Sequence, residues 1–343
     1  MRALDLSKIS EEELLSLRIC DLPLDIENSW LANCLKELYQ ELEAKEVQFK
    51  PPCYLADEWL TPDKEPVVGV PFFLAHPALI KLERKMMLDV EGGTHSWCMK
   101  LLRHETGHAL NYAYKLYRRK KWQKTFGQFS KEYNDTYRWR PYSRSFVRHL
   151  EDYYAQYHPD EDFAETFAVW LTPGLNWQEQ YKGWKALAKL NYVNELMSEV
   201  KDKEPRIQKG TKYWQASSTR ATLKNFYKKK RHFYAEDFPD FHDANLKRIF
   251  ISKDTDTQKD KVLWAGNIIR KHKRNILNNT AKWTGEKKYI INNLLNTIIQ
   301  RSKQLHLKAQ EPESLAAQEV SIYVTALVMN YLHTGKFRKK DVL

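Results

Sequence analysis

Residues 97–119 read WCMKLLRHETGHALNYAYKLYRR, and this stretch decides how the rest of the chain is understood. Its apolar positions predict one long helix, capped at its start by Thr94 or Ser96 after the break at Glu91-Gly92-Gly93. Side chains four apart on a helix lie one above the other, so His104 and His108 project two imidazoles toward one point. A tetrahedral Zn²⁺ needs such a pair, and Glu105 beside the first histidine is placed to act as general base on a metal-activated water. Leu101, Leu102, Ala109 and Leu110 can bury the helix, and Gly107 leaves room for another element or a substrate to approach.

A catalytic zinc takes a third protein ligand and keeps one open position. The segment 159–171, PDEDFAETFAVWL, offers it. Read as a helix with Pro159 in its first turn, it puts Glu161 and Glu165 on one face and Phe163, Phe167 and Trp170 into a core. Glu161 is then the third ligand, and Glu165 accepts the Nδ1–H of a zinc-bound histidine. The same acidic cluster also suits a helix N-terminus, where carboxylates favour the dipole.

The pairing of HETGH with a downstream Glu-x-Phe-Ala-Glu resembles the gluzincin arrangement. The stretch YYAQYHPDEDFAETFAVWL (residues 153–171) is similar to a zinc-binding metallopeptidase family whose members carry His-Pro-x-Glu-Asp-aromatic-Ala-Glu-Thr after HExxH. The resemblance covers about residues 97–190. It implies Glu161 as ligand and Glu165 as its supporting carboxylate, with Asp162 ranked next and Glu165 itself the other ligand choice. A peptidase also needs a donor for the oxyanion. Tyr154, Tyr157 and His149 are the candidates, with Tyr153 and His158 close by.

Outward from this centre, residues 26–44 read as an amphipathic helix. Two β-like runs, 47–60 and 67–75, predict a hairpin or part of a small sheet, with Pro71 marking an edge. In zincin-like proteins such an edge aligns an extended peptide, and residues 67–73 are the expected edge. Helices are expected over 76–87 and 177–201, and residues 120–143 as a polar, aromatic connector. Composition changes near Asp202–Pro205, so the chain divides into 1–204, a zincin-like metallopeptidase domain, and 205–343, a basic and mostly helical region. Helices are expected there over 218–232, 258–278 and 289–307. The fold class is therefore α+β, mainly α, with a small N-terminal β-sheet.

The 343 residues are 42% hydrophobic and carry a net charge of +12. A substantial core can form, and anionic partners are favoured. Basic runs interleaved with aromatics, such as KNFYKKKR at 224–231 and the lysines at 336–340, fit an acidic protein or nucleic acid. Four scattered cysteines without a CxxC pair point away from a disulfide framework or a zinc ribbon. The first 24 residues lack a signal pattern, and the apolar stretch 321–332 is too short to span a bilayer, so the cytoplasm is the expected compartment. The leading expectation is a zinc-dependent hydrolase acting on peptide or protein substrates. The rivals are a catalytically silent zincin-like module gripping an anionic partner and a nucleic-acid-associated protein with a structural zinc.

Overall fold

The computed structural model describes residues 5–133, 140, 142–150, 153–233, 242–251, 263–309 and 311–334. The chain is mainly helical, with one two-stranded parallel sheet among the described residues. It forms two compact units: one built almost wholly from residues up to Tyr227, the other mostly from Lys228 onward.

The first unit opens with α1 (Glu11–Ser16), held by a capping box in which Ser10 accepts from the Glu13 backbone and Glu13 returns the bond. Next come α2 (Leu31–Ala44), β1 (Cys53–Ala56), β2 (Val68–Pro71), α3 (Pro77–Met87) and α4 (His95–Ala113). Thr94 caps α4 by accepting from Trp97 N. The helix stops at Ala113, six residues short of its expected end, because Lys115 takes a left-handed backbone with φ 55°. A 3₁₀ turn and α5 (Lys120–Phe126) follow where a connector was expected. α6 (Pro159–Leu171) carries the acidic segment. The helix expected over 177–201 is two pieces, α7 (Trp177–Gln180) and α8 (Ala186–Val200), parted at Gly183, where φ is 76°. α9 (Leu223–Phe233) leaves this unit.

The sheet is not a hairpin. β1 and β2 run parallel, Cys53 opposite Val68 and Ala56 opposite Pro71. The returning chain instead lays Leu60 on the other side of β2, where Leu60 and Gly69 exchange both backbone hydrogen bonds at 2.8 and 3.3 Å. Only glycine permits this double approach, since a Cβ at residue 69 would meet the Leu60 side chain and stand 2.9 Å from the Ala56 Cβ. Residues 67–73 are buried throughout, so the segment expected to align substrate is an interior strand. What its register does place is Thr61, next in the chain after Leu60.

The second unit holds α10 (Asp243–Ile249), α11 (Ala265–Thr284), α12 (Lys288–Gln304) and α13 (Glu313–Thr334). Ile268, Ile269, Ile276, Ile291, Leu295, Ile298, Val320, Val324 and Val328 form a continuous aliphatic core. The stretch 321–332 lies in the C-terminal part of α13, and no described helix is long and apolar enough to cross a membrane. Residues 258–262 and 336–340, parts of an expected helix and of a basic run, lie outside the described residues.

Candidate metal centre

α4 and α6 meet at their smallest residues. A Cβ on Gly107 would sit 2.8 Å from the Ala164 Cα and 3.1 Å from its carbonyl oxygen. The glycine in HETGH therefore lets the α6 backbone close onto α4 and bring the carboxylates of one helix to the imidazoles of the other. Two buried ion pairs brace the helices. Arg103 makes a two-pronged bond to Glu41 of α2 at 2.6 and 2.8 Å, and Lys189 of α8 reaches Asp162 at 2.5 Å.

Between them, three atoms converge. His104 Nε2 and His108 Nε2 are 3.2 Å apart, and Glu161 Oε2 is 3.1 Å from the first and 3.2 Å from the second. The other nitrogen of each ring is held by its own carboxylate: His104 Nδ1 by Glu165 Oε1 at 2.8 Å, and His108 Nδ1 by Asp160 Oδ2 at 2.9 Å. With both Nδ1–H groups donating to carboxylates, each Nε2 of a neutral ring presents a lone pair. Two lone pairs and a carboxylate oxygen within 3.2 Å repel one another unless protons or a cation lie between them. A tetrahedral ion with metal–ligand bonds of about 2.0–2.1 Å separates its ligand atoms by about 3.3 Å. The donor set and its spacing fit such an ion, and His104, His108 and Glu161 form a group able to hold one.

The electrostatics of the cluster say the same. Burial disfavours imidazolium, yet hydrogen bonds accepted by Glu161 and Glu165 overcome it and raise His104 to about 9. His108 is raised well above the ordinary histidine value, burial being outweighed by Asp160 and Glu161. Burial alone would push Glu161 up, but the two histidines hold it well below the usual carboxylate range. These groups attract positive charge strongly, and a metal ion would displace the protons.

Glu105 is also buried, and burial raises its carboxyl above the usual range against the pull of His104 and His108. Thr61 donates to Glu105 Oε2 at 2.9 Å, its hydroxyl also lying 3.1 Å from the Glu105 carbonyl oxygen. Tyr133 donates to the second oxygen of Glu161 at 3.0 Å and stacks on His158, ring centroids 3.9 Å apart.

The candidate residues divide by position. Glu165 divides its oxygens between His104 and the Leu150 amide, which bonds Oε2 at 2.9 Å. Asp162 points to Lys189, and burial raises its carboxyl to about 7 despite that lysine. The Tyr154 ring lies 5.6 Å from that of His104, and Tyr157 lies 5.9 Å beyond Tyr154. His149 Nε2 pairs with the Lys100 carbonyl at 2.9 Å, and His158 caps α6 by accepting from the Asp160 amide. No protein-family model matches this chain, and neither a curated protein nor a solved structure matches it.

Three participants lie outside the sequence reading. Asp160 is the most central: besides His108 it accepts from Asn111 at 2.7 Å and Tyr112 at 2.5 Å. Asn111 and Tyr112 stand three and four residues after His108 on the same helix face, a signal that was present in the spacing. Thr61, 44 residues before Glu105, and Tyr133, in the aromatic connector, reach the site only through the tertiary fold.

Proposed function

We propose that this chain is a zinc-dependent metallohydrolase, most simply a peptidase. Its first unit is read as a zincin-like catalytic domain of the metallopeptidase family that its motifs resemble. The observation that carries the reading is the triangle of acceptor atoms from His104, His108 and Glu161, with each imidazole anchored from behind by a carboxylate. The ion would be held by Nε2 of both histidines and Oε2 of Glu161. Bound zinc polarises a carbonyl and lowers the pKa of water. Asp160 and Glu165 keep both rings in the tautomer that offers Nε2 as ligand.

Glu105 takes the proton of the attacking water and delivers it to the departing amine. Its buried setting raises its proton affinity toward the range useful for that exchange, and Thr61 fixes the orientation of its carboxylate. Tyr133 holds the second oxygen of Glu161, which keeps that ligand facing the histidines. Tyr154, packed against His104, is the assigned donor to the substrate carbonyl oxygen. The four free cysteines are consistent with a reducing, cytoplasmic setting.

Elemental analysis of purified protein tests the metal site. About one zinc per chain is expected, lost in Glu161→Ala, kept in Asp162→Ala and weakened about 10–100-fold in Asp160→Asn. Glu105→Gln should retain the metal and lose about 10²–10⁴-fold in peptide hydrolysis. Protein that takes up no zinc after reconstitution would end this reading.

A further inference from the structure

The excess positive charge of the chain is concentrated in its last third. From Lys228 onward, 23 Lys and Arg stand against 12 Asp and Glu, a net +11; the preceding 227 residues hold 33 against 32, a net +1. The candidate metal centre lies in the near-neutral part.

Helix α11 organises part of it. Its buried side, including Ile268, Ile269, Ile276 and Leu277, joins the aliphatic core. Arg270, Arg274, Asn278 and Lys282 lie exposed at successive four-residue steps. Such steps advance about 6 Å each along a helix, so the four form a row about 18 Å long. Lys271 flanks the row and pairs with Glu313 at 2.8 Å. Trp283 stands at the end of the row, 73% exposed, with the Lys282 ammonium 5.2 Å from its ring centroid.

An ordinary solvated helix face mixes charges of both signs, but the 20 residues of α11 include no Asp or Glu. A membrane-surface helix would present a band of apolar residues beside its cations, whereas here the exposed face is Arg, Lys and Asn, with Trp283 as its one exposed apolar side chain. Regularly spaced donors ending at an open indole match a strand that carries one phosphate and one stackable base per nucleotide. We propose that the exposed face of α11 binds single-stranded nucleic acid, phosphates along the Arg270–Lys282 row and a base stacked on Trp283. The proposal is independent of the metal centre.

The test is fluorescence anisotropy of the full-length chain with a labelled oligothymidylate across a salt series. Wild type should bind, with affinity falling steeply as salt rises. The triple variant R270A/R274A/K282A should reduce the slope of log affinity against log salt by about 2. Trp283→Ala should weaken binding about tenfold and leave the slope unchanged. Because these side chains are exposed, all variants should keep the wild-type zinc content and thermal midpoint. Absence of binding at low salt, or a triple variant or Trp283→Ala indistinguishable from wild type, would overturn the proposal. So would polyglutamate or phosphatidylserine vesicles displacing the probe as well as unlabelled oligonucleotide does.

Discussion

Both units bury apolar cores, but the first adds a dense cluster of ionisable side chains to its interior. In the first, His104, Glu105, His108, Asp160, Glu161, Asp162 and Glu165 are all buried, with Arg103 and Glu41 beside them. In the second, the interior is almost wholly aliphatic, and the charges stand outside it. Burying ionisable groups costs several kcal/mol per uncompensated charge, and pairing offsets that cost incompletely. A helix pair that concentrates so many of them is carrying a burden that stability alone would not select, whereas the second unit follows the ordinary rule of apolar core and charged surface. The contrast places the candidate metal centre in the first unit and the proposed nucleic-acid face in the second.

The largest expected effect separates the two cores. Leu295→Ala removes a fully buried side chain from the second unit and should destabilise that unit by about 2–5 kcal/mol. Denaturant unfolding followed alongside zinc content should show the loss with the metal retained. A variant that sheds its zinc would break the separation.

A smaller effect addresses the first unit. Gly107→Ala drives a methyl into the α6 backbone at Ala164 and should cost about 1–3 kcal/mol, with weaker zinc binding because the ligand helices are pushed apart. Competition with a chelator measures the affinity. Unchanged affinity would mean that helix spacing does not set the ligand geometry.

A further test is a pH dependence in the second unit. His242 is buried and bonds Tyr323 through Nδ1 at 2.9 Å; burial lowers it from 6.5 to about 4, against the opposing effect of Asp243. The unfolded histidine then takes up a proton at a higher pH than the folded one. The stabilisation from keeping His242 neutral is fully present above pH 6.5 and is lost as pH falls toward 4. Thermal midpoints over that range should decline in wild type and decline less in His242→Gln. Equal slopes would show that other groups govern the acid limb.

Much of the candidate metal centre was legible because its information is local. The four-residue interval of His104 and His108 fixes a shared helix face, and the same interval in α6 relates Glu161 to Glu165. Helix period alone therefore groups each pair on one face of its own helix. Element boundaries were less legible. The arrest of α4 depends on the left-handed Lys115, and the split between α7 and α8 on Gly183, single backbone choices that leave the apolar periodicity nearly intact.

What only the tertiary structure decided is whatever depends on how segments remote in sequence meet. Periodicity is blind to whether β1 and β2 pair parallel or as a hairpin, because strand side chains alternate identically in both. That choice buried residues 67–73 and delivered Thr61 to Glu105. Likewise, helix period relates Glu161 to Glu165 but names no partner for Asp160 or Asp162. The approach of α4 at Gly107 turns Asp160 and Glu161 toward the histidines, and α8 supplies Lys189 for Asp162. Helix faces are written in the order of residues. Which face meets which neighbour is settled by packing, as where Gly107 lets the α6 backbone approach to within 2.8 Å of where its Cβ would stand.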